Sequence, residues 1–199
     1  MSNYSSKENY ITRDPVPESW KLHPNGQLIR DIYPHFISGN VLDVGCNHGA
    51  CTFLIAEDSK VSKVYGLDIN PEAIALANRI KSDRNCNTSE FICSNILEWK
   101  TSMRFDVVVS FHTLEHIYPS DVDSFMQKLN SLLKTNGILL LSLPHDQTYA
   151  NEPTHVAHYT EHTLAALCSK HGFETIECIY DNRVSEGGVL TGIFRKGIT

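Results

Sequence analysis

Val41-Leu42-Asp43-Val44-Gly45-Cys46-Asn47-His48-Gly49 is the stretch that decides the fold. It reads as a short apolar strand, interrupted by one acid, that runs directly into a glycine-bearing turn. A helix-compatible segment over 50–57 follows, with Cys51-Thr52-Phe53-Leu54-Ile55-Ala56 as its buried face. A strand that feeds a tight turn and then a helix N-terminus presents backbone N–H groups to a ligand.

The rest of the chain can be placed by its distance from that turn. Residues 61–67 read as a second strand ending at Asp68, and Asn70-Pro71-Glu72 as a helix start. Asn is the N-cap, Pro takes the first helical position and Glu sits in the first turn. Ile74, Leu76, Ala77 and Ile80 carry this helix to about Lys81. Residues 91–93 form a short third strand ending at Ser94-Asn95, and 105–111 is the most strand-like run of all. The spacing of Val122, Phe125, Met126, Leu129, Leu132 and Leu133 predicts a helix over 120–134, ended by Asn136-Gly137. A fifth apolar strand spans 138–143, stopped by Pro144.

A polar, histidine-bearing loop over 145–159 comes next, and Thr160 caps a helix closed by Gly172. Residues 174–180 and 189–194 are strands joined by a polar loop without a helix, which suits a hairpin. Strands alternating with helices imply a parallel sheet covered on both faces. The expected fold class is therefore α/β: a Rossmann-like, seven-stranded, mainly parallel sheet with helices on both faces and one antiparallel C-terminal strand. Upstream of the turn, Leu28, Ile29, Ile32, Tyr33 and Phe36 recur at helical spacing, with Asn25 as N-cap and an end near Pro34. Residues 1–24 are read as an N-terminal arm and 25–199 as a single domain.

With 199 residues and 41% hydrophobic content the chain can bury a substantial core. Its net charge of -6, with no basic run longer than Arg195-Lys196, argues against a nucleic-acid partner or an anionic membrane. The six cysteines form no C-x-x-C pair, and several lie in apolar runs. Without a signal peptide or an apolar run approaching ~18 residues, a soluble cytoplasmic protein is expected.

Two cofactor readings compete at the turn. A dinucleotide fingerprint needs G-x-G-x-x-G/A, but from Gly45 this chain offers Asn47 and Ala50, so the second glycine is absent. Asp43 also sits badly with a pyrophosphate and better with a cationic ligand end. The pattern D-x-G-x-x-x-G, followed by an acid at the end of the next strand, resembles the class I S-adenosylmethionine-dependent methyltransferases. Asp43, Gly45 and Gly49 stand at the positions of their hhDhGxGxG motif (h apolar), and Asn47 replaces the middle glycine.

The resemblance continues in order through Leu67-Asp68, Ser94-Asn95-Ile96, the run 105–117 with its Leu114-Glu115-His116 ending, the run 133–139, and His158-Tyr159-Thr160 with Gly172-Phe173. It implies S-adenosyl-L-methionine as cofactor, with Asp68 on the ribose hydroxyls and Asn95 accepting from the adenine amino group. Cys46, Ile69, Ile96 and Phe111 complete the implied cofactor site. Glu115 is read as a helix-start residue and His116 as structural.

His112, His116, His145, His155 and His158 all follow the C-terminal ends of strands, the edge at which open α/β sheets bind ligands. The His155-x-x-His158 spacing lacks the carboxylates or cysteines that would complete a zinc set, so no metal is assigned. If the acceptor is a hydroxyl, a general base of near-neutral pKa is required. His145 is the first choice and His112 the second. Residues 151–156 (Asn-Glu-Pro-Thr-His-Val) resemble a stretch of methyltransferases that tailor glycans and other small molecules. The expected acceptor is thus a small molecule, with a lean towards a sugar or similar metabolite hydroxyl. The competing expectation is a cofactor-binding or scaffold subunit, which Asn47 and Asn95 would favour by weakening the usual pattern; an NAD-dependent oxidoreductase is a further alternative.

Overall fold

The run 41–44 forms the buried half of a strand, β1 (Gly39–Val44). In the computed structural model, which describes residues 29, 33–145, 152–181 and 188–197, this strand lies at the centre of the sheet. It is followed by helix α1 (Ala50–Ala56), β2 (Val61–Asp68), α2 (Pro71–Asp83), β3 (Ser89–Cys93), β4 (Phe105–Phe111), a one-turn 3-10 helix (Leu114–His116) and α3 (Val122–Leu132). Then come β5 (Leu133–Pro144), α4 (Glu161–Lys170), β6 (Phe173–Asp181) and β7 (Val189–Lys196). The strand order is β3-β2-β1-β4-β5-β7-β6. All pairings are parallel except those of β7, which runs antiparallel to both β5 and β6.

The period-2 alternation of strand side chains divides the core into two layers. Val107, Val109 and Leu140 point to the face covered by Leu54 and Ile55 of α1, together with Ile29, Tyr33 and Ile37. Val108, Leu139 and Leu141 point to the opposite face, against Phe125, Met126 and Leu129 of α3 and Leu164 of α4. Ala50, Phe53 and Ile80 join α1 to α2. The expected N-cap of α2 is present, since Asn70 Oδ1 accepts from the backbone N–H of Glu72 at 3.0 Å and of Ala73 at 3.4 Å. Thr160 and Thr163 likewise form a capping box at α4.

Three boundaries differ from the sequence reading. The helix expected to reach residue 134 stops at Leu132, because Leu133 is already extended and pairs with Phe105 in the sheet. Asn136 does take a left-handed φ of 60°, but as a bend inside β5, where the register to β4 shifts between Phe105 and Val107. The third strand starts at Ser89, which pairs with Val64. The C-terminal hairpin does not simply extend the edge: β7 inserts between β5 and β6, burying Val189, Leu190, Ile193 and Phe194. The arm over 1–24, Asn25, Leu28 and Ile32 lie outside the described residues. Ile29 is helical and buried, and Tyr33–His35 is a 3-10 turn.

β1 leads on one side to β2 and β3 and on the other to β4. The chain therefore reverses its direction of travel across the sheet between β1 and β4. In open α/β sheets the crevice outside the strands' carboxyl ends at that switch point is where ligands bind. No helix among the described residues is long and apolar enough to cross a membrane.

Candidate functional site

The turn after β1 is built on three left-handed residues: Gly45 (φ 78°), Asn47 (φ 50°) and Gly49 (φ 90°). At Gly45 a Cβ would stand 2.1 Å from Thr113 Oγ1, and at Gly49 one would stand 2.6 Å from the Phe91 ring. The turn is thus seated directly on the loop after β4 and on β3, with room for no side chain at either glycine. Asn adopts the remaining left-handed position at small cost because its short polar side chain bonds locally; here Asn47 Oδ1 lies 3.2 Å from His48 Nδ1.

Asp68 ties this turn to the next helix. Its Oδ2 accepts the Asn47 N–H and its Oδ1 the Asn70 N–H, both at 2.8 Å. A carboxylate oxygen can accept more than one hydrogen bond, so both oxygens keep capacity for a ligand's hydroxyls. The N–H groups of Gly45 and Cys46 converge on the Leu67 carbonyl at 2.8 and 3.2 Å. Cys46 contributes backbone rather than thiol chemistry: its side chain is buried against Gly66, and burial pushes the thiol well up.

Asp43 lies beneath the turn. It is 1% exposed and accepts the Thr52 hydroxyl at 2.6 Å. Burial drives its carboxyl up to about 7; the Thr52 bond opposes the shift and the nearby Asp68 charge adds to it. His48, unremarked in the sequence, is also buried, with its imidazole pKa lowered by burial and its Nε2 without a hydrogen bond among the described residues.

The remaining predicted cofactor residues divide. Ile69 is exposed beside Asp68, and Ile96 is buried. Asn95 Oδ1 accepts the Leu97 N–H at 3.0 Å, so one of the two lone pairs of its amide oxygen is engaged locally. Phe111 is stacked on Tyr33 at 5.4 Å and belongs to the core beneath the site.

On the other side of the switch point, His112 has a left-handed φ of 50°, and its N–H donates to the Ser142 carbonyl at 2.7 Å. Next to it, Thr113 Oγ1 donates to the Val44 carbonyl at 3.3 Å, so this loop touches the end of β1. Glu115, read from sequence as a helix-start residue, is in fact 2% exposed, and neither carboxylate oxygen accepts a hydrogen bond among the described residues. Two imidazoles flank it, with His112 Nδ1 3.4 Å and His116 Nε2 4.0 Å from its Oε1. His155 brings its ring to 4.9 Å from that of His116, and burial lowers its pKa.

His145, at the end of β5, stands further along the sheet. Its Nε2 is 2.9 Å from Glu161 Oε2 on α4, and its ring lies 4.5 Å from Tyr180 on β6. Glu161 is held below the usual carboxylate range, first by its backbone hydrogen bond and then by His145. Among the described residues, the carboxyl edge of the sheet therefore carries two carboxylates flanked by histidine: Glu115, with His112 and His116, and Glu161, with His145. Sequence spacing could not pair them, because each joins separate elements or depends on the burial of Glu115. His158 is exposed.

Comparison with known proteins places this geometry. Residues 21–178 match a family model described as a methyltransferase domain. A ubiquinone biosynthesis O-methyltransferase of Bradyrhizobium diazoefficiens is 31% identical over 104 residues, covering 51% of this chain and 38% of the relative. The chain thus spans well under half the length of that curated relative. The structure superposes on N-methyltransferase NodS from Bradyrhizobium japonicum in complex with S-adenosyl-L-homocysteine, with a TM-score of 0.73 at 19% identity, covering 92% of this chain and 99% of NodS. It also superposes on the [4+2]-cyclase SpnF with a TM-score of 0.75 at 16% identity, covering 87% and 81%.

Proposed function

The chain belongs to the class I S-adenosylmethionine-dependent methyltransferase family, and from that premise we propose that it transfers a methyl group to a small-molecule acceptor, by preference to a hydroxyl of a sugar or similar metabolite. The observation that carries the reading is the Asp68 clamp. A carboxylate at the end of β2 holds the glycine turn and still has acceptor capacity towards the switch-point crevice. That is the chemistry required to take two ribose hydroxyls. S-adenosylmethionine, when bound, supplies a methyl group already activated on sulfonium.

The residues then have separable tasks. The turn from Gly45 to Gly49 lets backbone approach the ligand closely, and Asp43 beneath it supplies negative charge for the cationic methionine end once ionised. Ile69 offers an apolar lip beside Asp68. For the acceptor, orientation and exclusion of water provide most of the rate, and a histidine accepts the hydroxyl proton as it leaves. His112 suits this role better than His145. Its neighbour Thr113 touches both the end of β1 and Gly45, whereas His145 is bonded to Glu161 further along the sheet.

A second reading, a cofactor-binding or scaffold subunit, is favoured by one observation: one lone pair of the Asn95 amide oxygen is engaged by Leu97. Calorimetric titration with S-adenosylmethionine and with NAD tests both. Saturable binding of S-adenosylmethionine alone supports the proposal. Binding of NAD alone refutes it, and binding of neither favours the scaffold. Transfer of radiolabelled methyl to a panel of hydroxylated metabolites then separates catalysis from binding.

A further inference from the structure

A buried carboxylate without hydrogen bonds is costly unless a cation compensates it. Glu115 is such a group among the described residues, and it has nitrogen ligands for company. One ligand atom each from Glu115, His116 and His155 lies within 4.8 Å of the other two. We propose that these three residues form a binding site for one divalent transition-metal ion of the zinc class, on the acceptor side of the cleft.

The groups that would orient these ligands are already in place. His116 Nδ1 lies 2.9 Å from the Thr154 carbonyl, a contact in which the ring nitrogen must be the donor. That fixes the tautomer and leaves the lone pair on Nε2, the atom facing Glu115. Metal-binding histidines are characteristically oriented in this way by a carbonyl or carboxylate. His155 is carried in by a loop anchored to the same residue that supplies the carboxylate. The N–H groups of Val156 and Ala157 both donate to the Glu115 carbonyl, at 2.9 and 3.2 Å. Within that loop the His155 N–H donates to the Glu152 carbonyl at 3.0 Å, and Thr154 Oγ1 to Glu152 Oε1 at 3.0 Å.

The spacing is compatible with an ion-free site. Two ligand atoms on one tetrahedral zinc stand about 3.3 Å apart, so the 4.0 Å between Glu115 Oε1 and His116 Nε2 needs to close by roughly 0.7 Å. Two histidines and one carboxylate leave a fourth position open, as in catalytic rather than structural zinc sites. His112 Nδ1 lies 3.4 Å from Oε1 of the same carboxylate. An acceptor oxygen bound at the fourth position would be acidified by the ion; this role, unlike the site itself, rests on the methyl-transfer reading.

The test uses the full chain, stripped with a chelator and titrated calorimetrically with Zn²⁺, with Co²⁺ absorption as the spectroscopic probe. One equivalent of metal and a visible Co²⁺ band are expected. Glu115→Gln and His155→Ala should each weaken Zn²⁺ binding by about tenfold or more. His171→Ala should leave it unchanged, since that residue pairs with Asp123 and is not one of the three ligands. S-adenosylmethionine binding by the same variants reports that they remain folded, and His155→Ala, on a loop, keeps the test valid if Glu115→Gln does not fold. Absence of saturable binding, or binding that survives both substitutions, overturns the site. Metal binding without S-adenosylmethionine binding upholds the site and refutes the methyltransferase reading; the reverse pattern refutes only the site.

Discussion

Replacing Asp43 by Asn should make the ligand-free protein more stable at pH 8 and change its stability little near pH 4. The side chain is 1% exposed, and burial raises its carboxyl from the ordinary 3.8 to about 7. A group whose folded pKa lies above its unfolded value contributes fully below the unfolded pKa and loses that contribution as pH rises through the folded one. Wild-type stability is therefore penalised progressively from about pH 4 to pH 7. A shift of about 3 units corresponds to ~4 kcal/mol above pH 7. Asn cannot ionise, yet its amide oxygen can still accept the Thr52 hydroxyl that Asp43 Oδ2 accepts at 2.6 Å, so the packing beneath the turn is retained. Urea unfolding of both proteins at intervals from pH 4 to 8 measures the difference directly. The gap should open through that window, and S-adenosylmethionine affinity of the variant should fall at pH 8, where the wild-type carboxylate is available to a cation. A stability difference that stays flat with pH would refute the reasoning, because it would mean that Asp43 reaches water or a fixed cation in the folded state.

Further outcomes are expected elsewhere in the site. Asp68→Ala removes the acceptor of the Asn47 and Asn70 N–H groups and should weaken S-adenosylmethionine binding about tenfold or more, since hydrogen bonds to a charged group contribute roughly 1.5–3 kcal/mol each; unchanged affinity in calorimetry would show the ribose to be elsewhere. Asn47→Gly should stay within about 1 kcal/mol of wild type in urea unfolding, whereas Asn47→Val, β-branched at a φ of 50°, should lose about 1–3 kcal/mol. In a methyl-transfer assay, His112→Ala should lower kcat roughly 100-fold or more with little change in cofactor affinity, and His145→Ala should cost less. The opposite order would move the base to the His145–Glu161 pair.

What could be read from the chain alone was whatever depends on neighbours in sequence. The apolar run into Gly45, the Asn70-Pro71 helix start, the Thr160 cap and the alternation of strands with helices are governed by backbone sterics, capping and side-chain periodicity over a few residues. Those signals carried the α/β class and the glycine turn; the resemblance to a known family added Asp68 as a ligand acid, and only the fold showed it bonded to the turn. The limits of local patterning appear where sheet pairing overrode it: Leu133 is an apolar helix-phase residue that joins β5 because Phe105 pairs with it. Which residues meet at the site was decided only by the tertiary fold. Asp43 turns inward because Thr52 comes to lie beneath it, and β7 slots between β5 and β6 because its buried face needs both. Glu115 reads as an ordinary helix-start acid until residues 152–157 fold over it, bond its carbonyl and bring His155 beside His116. Sequence periodicity states which face of an element is apolar; it carries no term for which distant loop will close over that face, and that closure is what turns a solvated glutamate into a buried, nitrogen-flanked carboxylate.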